Sequence, residues 1–131
     1  MARREDVPNA TYPKAWTPLP LDRRFTATEY ELLAAGFISE SMDDHWDIYL
    51  EEDTLYFHRS WTGICIFRVR LEKAADEYAI ADAAIGDYPW AKPSDPYVAD
   101  LEGVIDLVLL RKPNPILRSL AEAKTKTRRR I

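Results

Sequence analysis

Cys65 is the only cysteine among 131 residues. A lone thiol cannot form an intramolecular disulfide or a zinc site built on paired thiolates, so a reducing compartment is expected. Glycine is scarce too, at four residues. No G-x-G-x-x-G, Walker, H-E-x-x-H or G-x-S-x-G pattern occurs, which removes the phosphate-cradling loops and the commonest hydrolase frames. The leading stretch MARREDVPNATYP has no apolar signal core. The longest apolar run, Val104 to Leu110, is broken by Asp106 and is too short to span a bilayer. The expectation is a soluble, cytoplasmic protein without a membrane partner.

What is present is ample for one core: 47% hydrophobic and 31% charged residues, a globular and not a disordered balance. The net charge of −4 is unevenly spread, because residues 111–131 hold eight Lys/Arg and one acid, against ten Lys/Arg and twenty-one Asp/Glu in residues 1–110. An acidic body lacks the contiguous basic footprint of a nucleic-acid binder, so nucleic acid is not an expected partner. The basic tail reads as a solvated end.

Pro8, Pro13, Pro18 and Pro20 predict an extended proline-rich arm over residues 1–22, docked by Tyr12, Trp16, Leu19 and Leu21. Residues 23–131 then form a single domain. Thr28 and Glu31 have capping-box spacing, and Gly36 suits a helix stop, so a two-turn helix is expected between them. From His45 to Ile85 the period becomes two, which predicts strands at 45–51, 54–60, 64–72 and 77–85. Turns at Glu52-Asp53 and Trp61-Thr62-Gly63 set the first two pairings at position sums of 105 and 124.

In that register Trp46, Ile48, Leu50, Leu55, Phe57, Cys65, Phe67, Val69 and Leu71 share one face. A face this apolar must be covered. The cover is expected from a helix opened by Ser94-Asp95-Pro96, with Val98, Leu101, Ile105 and Val108 at helical spacing, and from a last helix opened by Asn114-Pro115. The predicted class is therefore α+β, an antiparallel four-stranded β-meander with helices packed on one face.

Arg59 is the anomaly, because the register sets it on the apolar face beside Trp46 and across from Cys65. A guanidinium there needs a partner. Two readings stand side by side: an Arg stacked on Trp46 and paired with Asp43 or Asp44, or an anion-binding Arg next to the Ser60-Trp61-Thr62-Gly63 turn, whose backbone amides can point outward. The opposite face carries Asp47, Tyr49, Tyr56, His58, Ser60, Ile64, Ile66, Arg68 and Arg70. Asp47, His58 and Ser60 align there as acid, base and hydroxyl, but strand spacing leaves them too far apart for a nucleophile, and a flat sheet offers no oxyanion hole. His45 and His58 lie on opposite faces, so no metal is expected. The acidic run from Glu40 to Asp53 reads as a solvated rim. Cys65, set on the core face without a histidine beside it, reads as inert filling.

Trp46-Asp47-Ile48-Tyr49, followed by Leu55-Tyr56-Phe57-His58-Arg59-Ser60-Trp61-Thr62-Gly63-Ile64-Cys65-Ile66, resembles a small uncharacterised bacterial family with a W-x-I-Y…L-Y-F-H-R-S-W-T-G-x-C-I core. That domain stands alone or is appended to ADP-ribose-processing proteins. The likeness covers residues 42–72 closely. Where family members have Asn-Arg-Asp after the fourth strand, this chain has Ile85-Gly86-Asp87, which withholds any role those polar residues carry. The resemblance implies no activity and directs attention to His58–Gly63.

The leading expectation is a non-catalytic cytoplasmic module that binds a small anionic ligand, of nucleotide or ADP-ribose type, or a protein partner. Its expected site is Trp46, His58, Arg59, Ser60, Trp61, Thr62 and Gly63, without cofactor or metal. The alternatives are an enzyme acting on nucleotide or ADP-ribose derivatives, with His58 as acid or base and Arg59 as clamp, and an immunity-type inhibitor whose acidic body blocks a basic toxin.

Overall fold

A computed structural model describes residues 1–90 and 95–112. Along the chain come a 3₁₀ turn (Arg4–Asp6), β1 (Trp16–Leu19), β2 (Arg24–Thr26), α1 (Ala27–Ala35), β3 (Trp46–Glu51), β4 (Thr54–Arg59), β5 (Cys65–Ala74), β6 (Glu77–Gly86) and α2 (Asp95–Val104). The last of these runs on into a π-helical turn, Ile105–Leu109. The class is α+β, with an antiparallel sheet. No helix among the described residues is long and apolar enough to cross a membrane.

Strands β3 to β6 form the expected meander, but the sheet is wider. Both β1 and β2 pair antiparallel with the outer side of β6, giving six strands in place of four. The leading segment is thus more than an extended arm: it holds a strand and a 3₁₀ turn. The prolines, which predict extended chain, do not forbid pairing, because an edge strand tolerates a missing donor when that nitrogen faces away from the ladder, and Pro18 sits opposite Ala84 on such an edge. Leu19 is buried, and Leu21 packs on the same core.

The first hairpin turns through Glu52 and Asp53, both left-handed at φ 49° and 66°, whose twist matches the flanking strands. It sets Trp46 opposite Arg59, Asp47 opposite His58 and Ile48 opposite Phe57, the expected register. The helix cap lies two residues early. Thr26-x-x-Glu29 and Thr28-x-x-Glu31 are both valid boxes, and pairing of Thr26 with Glu77 selects the first. The Thr26 hydroxyl accepts the Glu29 N–H at 3.1 Å, and the Glu29 carboxylate accepts the Thr26 N–H at 2.9 Å.

The β4–β5 pairing departs from the expected register at one end. Leu55 faces Val69 and Phe57 faces Phe67 as predicted, but His58 faces Cys65, so Ile66 is an extra residue in a β-bulge. The loop has four residues, 60–63, because the Arg59 N–H donates to the Ile64 carbonyl at 2.9 Å. Counting from a three-residue turn left no room for the bulge.

Leu33 of α1 and Leu101, Val104, Ile105 and Leu109 from α2 and its π turn share one buried cluster with Ile48, Leu55, Phe57, Phe67, Val69 and Leu71. A half-buried ion pair, Arg23–Asp106 at 2.6 Å, ties the π turn to the approach of β2. Lys112 reaches Glu29 of α1 and holds that carboxyl below its ordinary range. The Ser94 cap, the helix from Asn114 and the basic tail lie outside the described residues. Phe57→Ala should cost about 3–5 kcal/mol in urea denaturation, whereas Leu107→Ala, at an exposed position, should cost under about 1 kcal/mol.

Candidate functional site

Adjacent rungs of the β3–β4 ladder send their side chains to opposite sides, so the Trp46–Arg59 rung and the Asp47–His58 rung open on different faces. The bulge then rearranges β5. Ile66 joins Phe67 on the Arg59 side, and Cys65 moves to the His58 side.

On the Arg59 side lies a cavity of about 680 Å³ between the sheet and α2. Its floor is Trp46, Ile64, Ile66 and Phe67; Tyr97, Asp100 and Val104 of α2 and Trp90 close it from the other side, with His45 and Thr62 at the margin. Trp46 stacks on Phe67, ring centres 5.9 Å apart, and Trp90 stacks on Tyr88 at 5.0 Å, so two indoles are braced from behind. The Arg59 guanidinium lies over Trp46, 5.0 Å from its ring centre, as one reading required. The carboxylate partner of that reading is not there: Arg59 makes no ion pair among the described residues. Asp44 instead accepts the Glu40 and Ser41 backbone N–H groups at 2.9 and 3.3 Å. Arg59 stays exposed, and the cross-strand contact with Trp46 is what holds it.

The other face is closed by the leading segment. His58 is fully buried, with Nδ1 donating to the Gly63 carbonyl at 2.8 Å. Tyr12 meets the ring edge-on at 5.2 Å, and Tyr49 stacks on it at 5.5 Å. The Tyr12 and Tyr49 hydroxyls hydrogen-bond to each other, and burial together with that bond pushes the Tyr49 phenol well above its ordinary value. Arg4 spreads over the Tyr12 ring at 5.0 Å while making a two-bond contact with Glu51 at 3.0 and 3.1 Å. Burial lowers the His58 pKa and outweighs the Gly63 bond and the Asp47 charge, which act in the opposite sense.

The seven expected site residues are therefore divided. Trp46, Arg59 and Thr62 line the cavity. Ser60 and Trp61 line a separate depression of about 470 Å³ with Ser39, Glu40, Ser41 and Met42. His58 and Gly63 are buried on the far face. The Asp47-His58-Ser60 alignment does not assemble, because the Ser60 hydroxyl donates to the Asp44 carbonyl at 2.7 Å. Two of the four turn amides are used internally, Ser60 N–H by the His45 carbonyl and Gly63 N–H by the Arg59 carbonyl, and the following Ile64 N–H goes to the Thr62 hydroxyl. Among the described residues no three His, Cys, Asp or Glu side chains are placed to hold a metal ion together.

The wall built by Trp90, Tyr97, Asp100 and Val104 was missed. Tyr97, Leu101 and Val104 recur at helical spacing, and a wide aromatic-to-aliphatic stripe on α2 was the available signal. Cys65 is also corrected, since it faces His58 and not the apolar core. Its chemistry is still inert: burial lifts the thiol to about 12. A thiol probe at pH 8 should leave Cys65 unlabelled in the native protein and label it fully in denaturant; rapid native labelling would contradict this enclosure. Against known proteins, no family, no curated protein and no solved structure matches the chain, so its function is argued from this geometry.

Proposed function

We propose that the protein is a non-catalytic binding module whose ligand is a small planar aromatic anion, held in the cavity between the sheet and α2. One observation carries this reading: a guanidinium that makes no ion pair among the described residues lies over an indole, 5.0 Å from its ring centre, at a cavity of about 680 Å³. That volume is in the range of small-molecule sites, and a mostly apolar lining with few polar groups is their usual composition. Trp46, Phe67, Trp90 and Tyr97 give the lining an aromatic character suited to a flat ligand, and Arg59 offers a fork for a carboxylate, sulfonate or phosphate. The expected anionic class is kept, while the site moves from the His58–Gly63 segment to the Trp46–Arg59 rung and α2.

An enzyme using His58 as acid or base draws less support. Such a mechanism needs His58 and Arg59 around one substrate, and the two rungs open on opposite faces. A protein partner is the second reading, favoured by Trp61 and Met42, exposed at 64% and 72%. A partner that co-purifies with wild type should be lost with Trp61→Ala; equal recovery with both would remove Trp61 from that reading.

The pair 8-anilinonaphthalene-1-sulfonate and its uncharged analogue N-phenyl-1-naphthylamine separates ring binding from anion binding. At pH 8 the sulfonate should bind with fluorescence enhancement, and Arg59→Met should weaken it by about tenfold, the worth of a charge-assisted hydrogen bond. The neutral probe should change by less than about twofold. Equal losses for both probes, or no loss for either, would overturn the assignment of Arg59 as the anion site.

A further inference from the structure

The cavity wall is held from the opposite face of the sheet. Arg59, Thr62 and Ile64, which line the cavity, flank or belong to the loop 60–63. The Gly63 carbonyl at the end of that loop accepts two donors: the Thr11 N–H at 2.9 Å and His58 Nδ1 at 2.8 Å. Thr11 also accepts the Cys65 N–H at 2.8 Å, so the leading segment pairs with the chain on both sides of Ile64. The fit is close. Gly63 has φ +75°, and a Cβ there would stand 2.3 Å from the Asn9 carbonyl oxygen.

We propose that His58, which touches no ligand in this arrangement, is a positioning residue for the cavity: by holding the Gly63 carbonyl jointly with Thr11 it fixes the Arg59–Ile64 wall, and its protonation releases that wall. The proposal rests on the cavity being the binding site. It adds that the leading segment and the cavity are coupled through one carbonyl.

The geometry around the ring gives the coupling a direction. Among the described residues, buried His58 Nε2 has no hydrogen-bond partner, and neither has buried Asp47 Oδ2 across the same rung. A proton placed on Nε2 creates a buried N–H and a buried charge that the docked state does not satisfy. The ionisable groups around it are Asp47 and Tyr49 on β3, Tyr56 on its own strand, Cys65 and Arg68 on β5, and Tyr12 and Arg4 on the leading segment. Of these Asp47 favours the imidazolium, Arg4 opposes it, and burial outweighs both. His58 therefore holds its proton less tightly when docked than when exposed. By linkage the docked state has its full advantage above the ordinary histidine value, about 6.5, and loses it as the pH falls below that.

The test uses the full chain with 8-anilinonaphthalene-1-sulfonate, whose sulfonate stays ionised from pH 8 to pH 5. His58→Asn keeps a donor near the Nδ1 position but does not titrate; His58→Leu keeps neither property. All measurements are repeated in a His45→Gln background, because His45 also lines the cavity. Wild type should bind progressively more weakly below about pH 6.5. His58→Asn should match wild type at pH 8 within about twofold and show no acid loss, while His58→Leu should be weaker by about fivefold at pH 8, the worth of one hydrogen bond. An acid loss that persists in His58→Asn would overturn the proposal. A second readout does not depend on the probe: hydrogen-exchange protection of the Thr11 and Cys65 amides in the unliganded protein. Their protection should fall in wild type between pH 7 and pH 5 and stay constant in His58→Asn. Unchanged wild-type protection overturns the positioning role even if the probe binds; a protection change without probe binding at pH 8 supports the coupling and rejects the cavity as a site for aromatic anions.

Discussion

The extra residue in β5 governs the geometry of the whole candidate region. Insertion of Ile66 between the Phe57–Phe67 and His58–Cys65 pairs re-aims three consecutive side chains. Ile66 turns under α2 and becomes cavity floor, while Cys65 turns toward His58. A regular ladder would have put an isoleucine among Tyr49, Tyr56 and His58 and a thiol beside Trp46. Bulges recur where a sheet must redirect a side chain near its end, and this one lies one step from the hairpin loop. The same device separates an open aromatic cavity from a sealed polar face.

The two faces follow different physical rules. Under α2, large rings are braced by other rings, and Arg59, the one guanidinium among the described lining residues, remains near solvent. Beneath the leading segment, phenols, an imidazole, a carboxylate and a thiol are packed together, and burial pushes each shifted group toward its neutral form. A face of that kind rigidifies when its bonds are made and is costly where they are not. Asp47 Oδ2 and His58 Nε2 are where they are not.

Much of this was legible in the residues. Alternation between His45 and Ile85 located the four meander strands within a residue or two at most boundaries, and the Glu52-Asp53 turn set the first register throughout. The stack of Arg59 on Trp46 follows from that register alone. What was hidden has identifiable causes. Prolines masked β1, because their cost vanishes on an edge strand. A duplicated T-x-x-E frame concealed which threonine caps α1, a choice made by pairing with β6. The bulge was invisible because Ile64, Cys65 and Ile66 are all apolar, so a one-residue slip costs nothing in the pattern. The α2 wall is tertiary, assembled from residues some forty positions beyond Arg59, about which local spacing says nothing.

The proposed function requires a ligand lying between Trp46 and Trp90 with its charge on Arg59. The four indoles, Trp16, Trp46, Trp61 and Trp90, occupy different settings and should give separate N–H resonances in an NMR titration. The most direct measurement adds a set of flat aromatic carboxylates and sulfonates to the labelled protein. The account predicts that the Trp46 and Trp90 indole signals move together and saturate while Trp16, stacked under Arg68 on the opposite face, stays fixed. Shifts confined to Trp61, or spread evenly over all four, would contradict it.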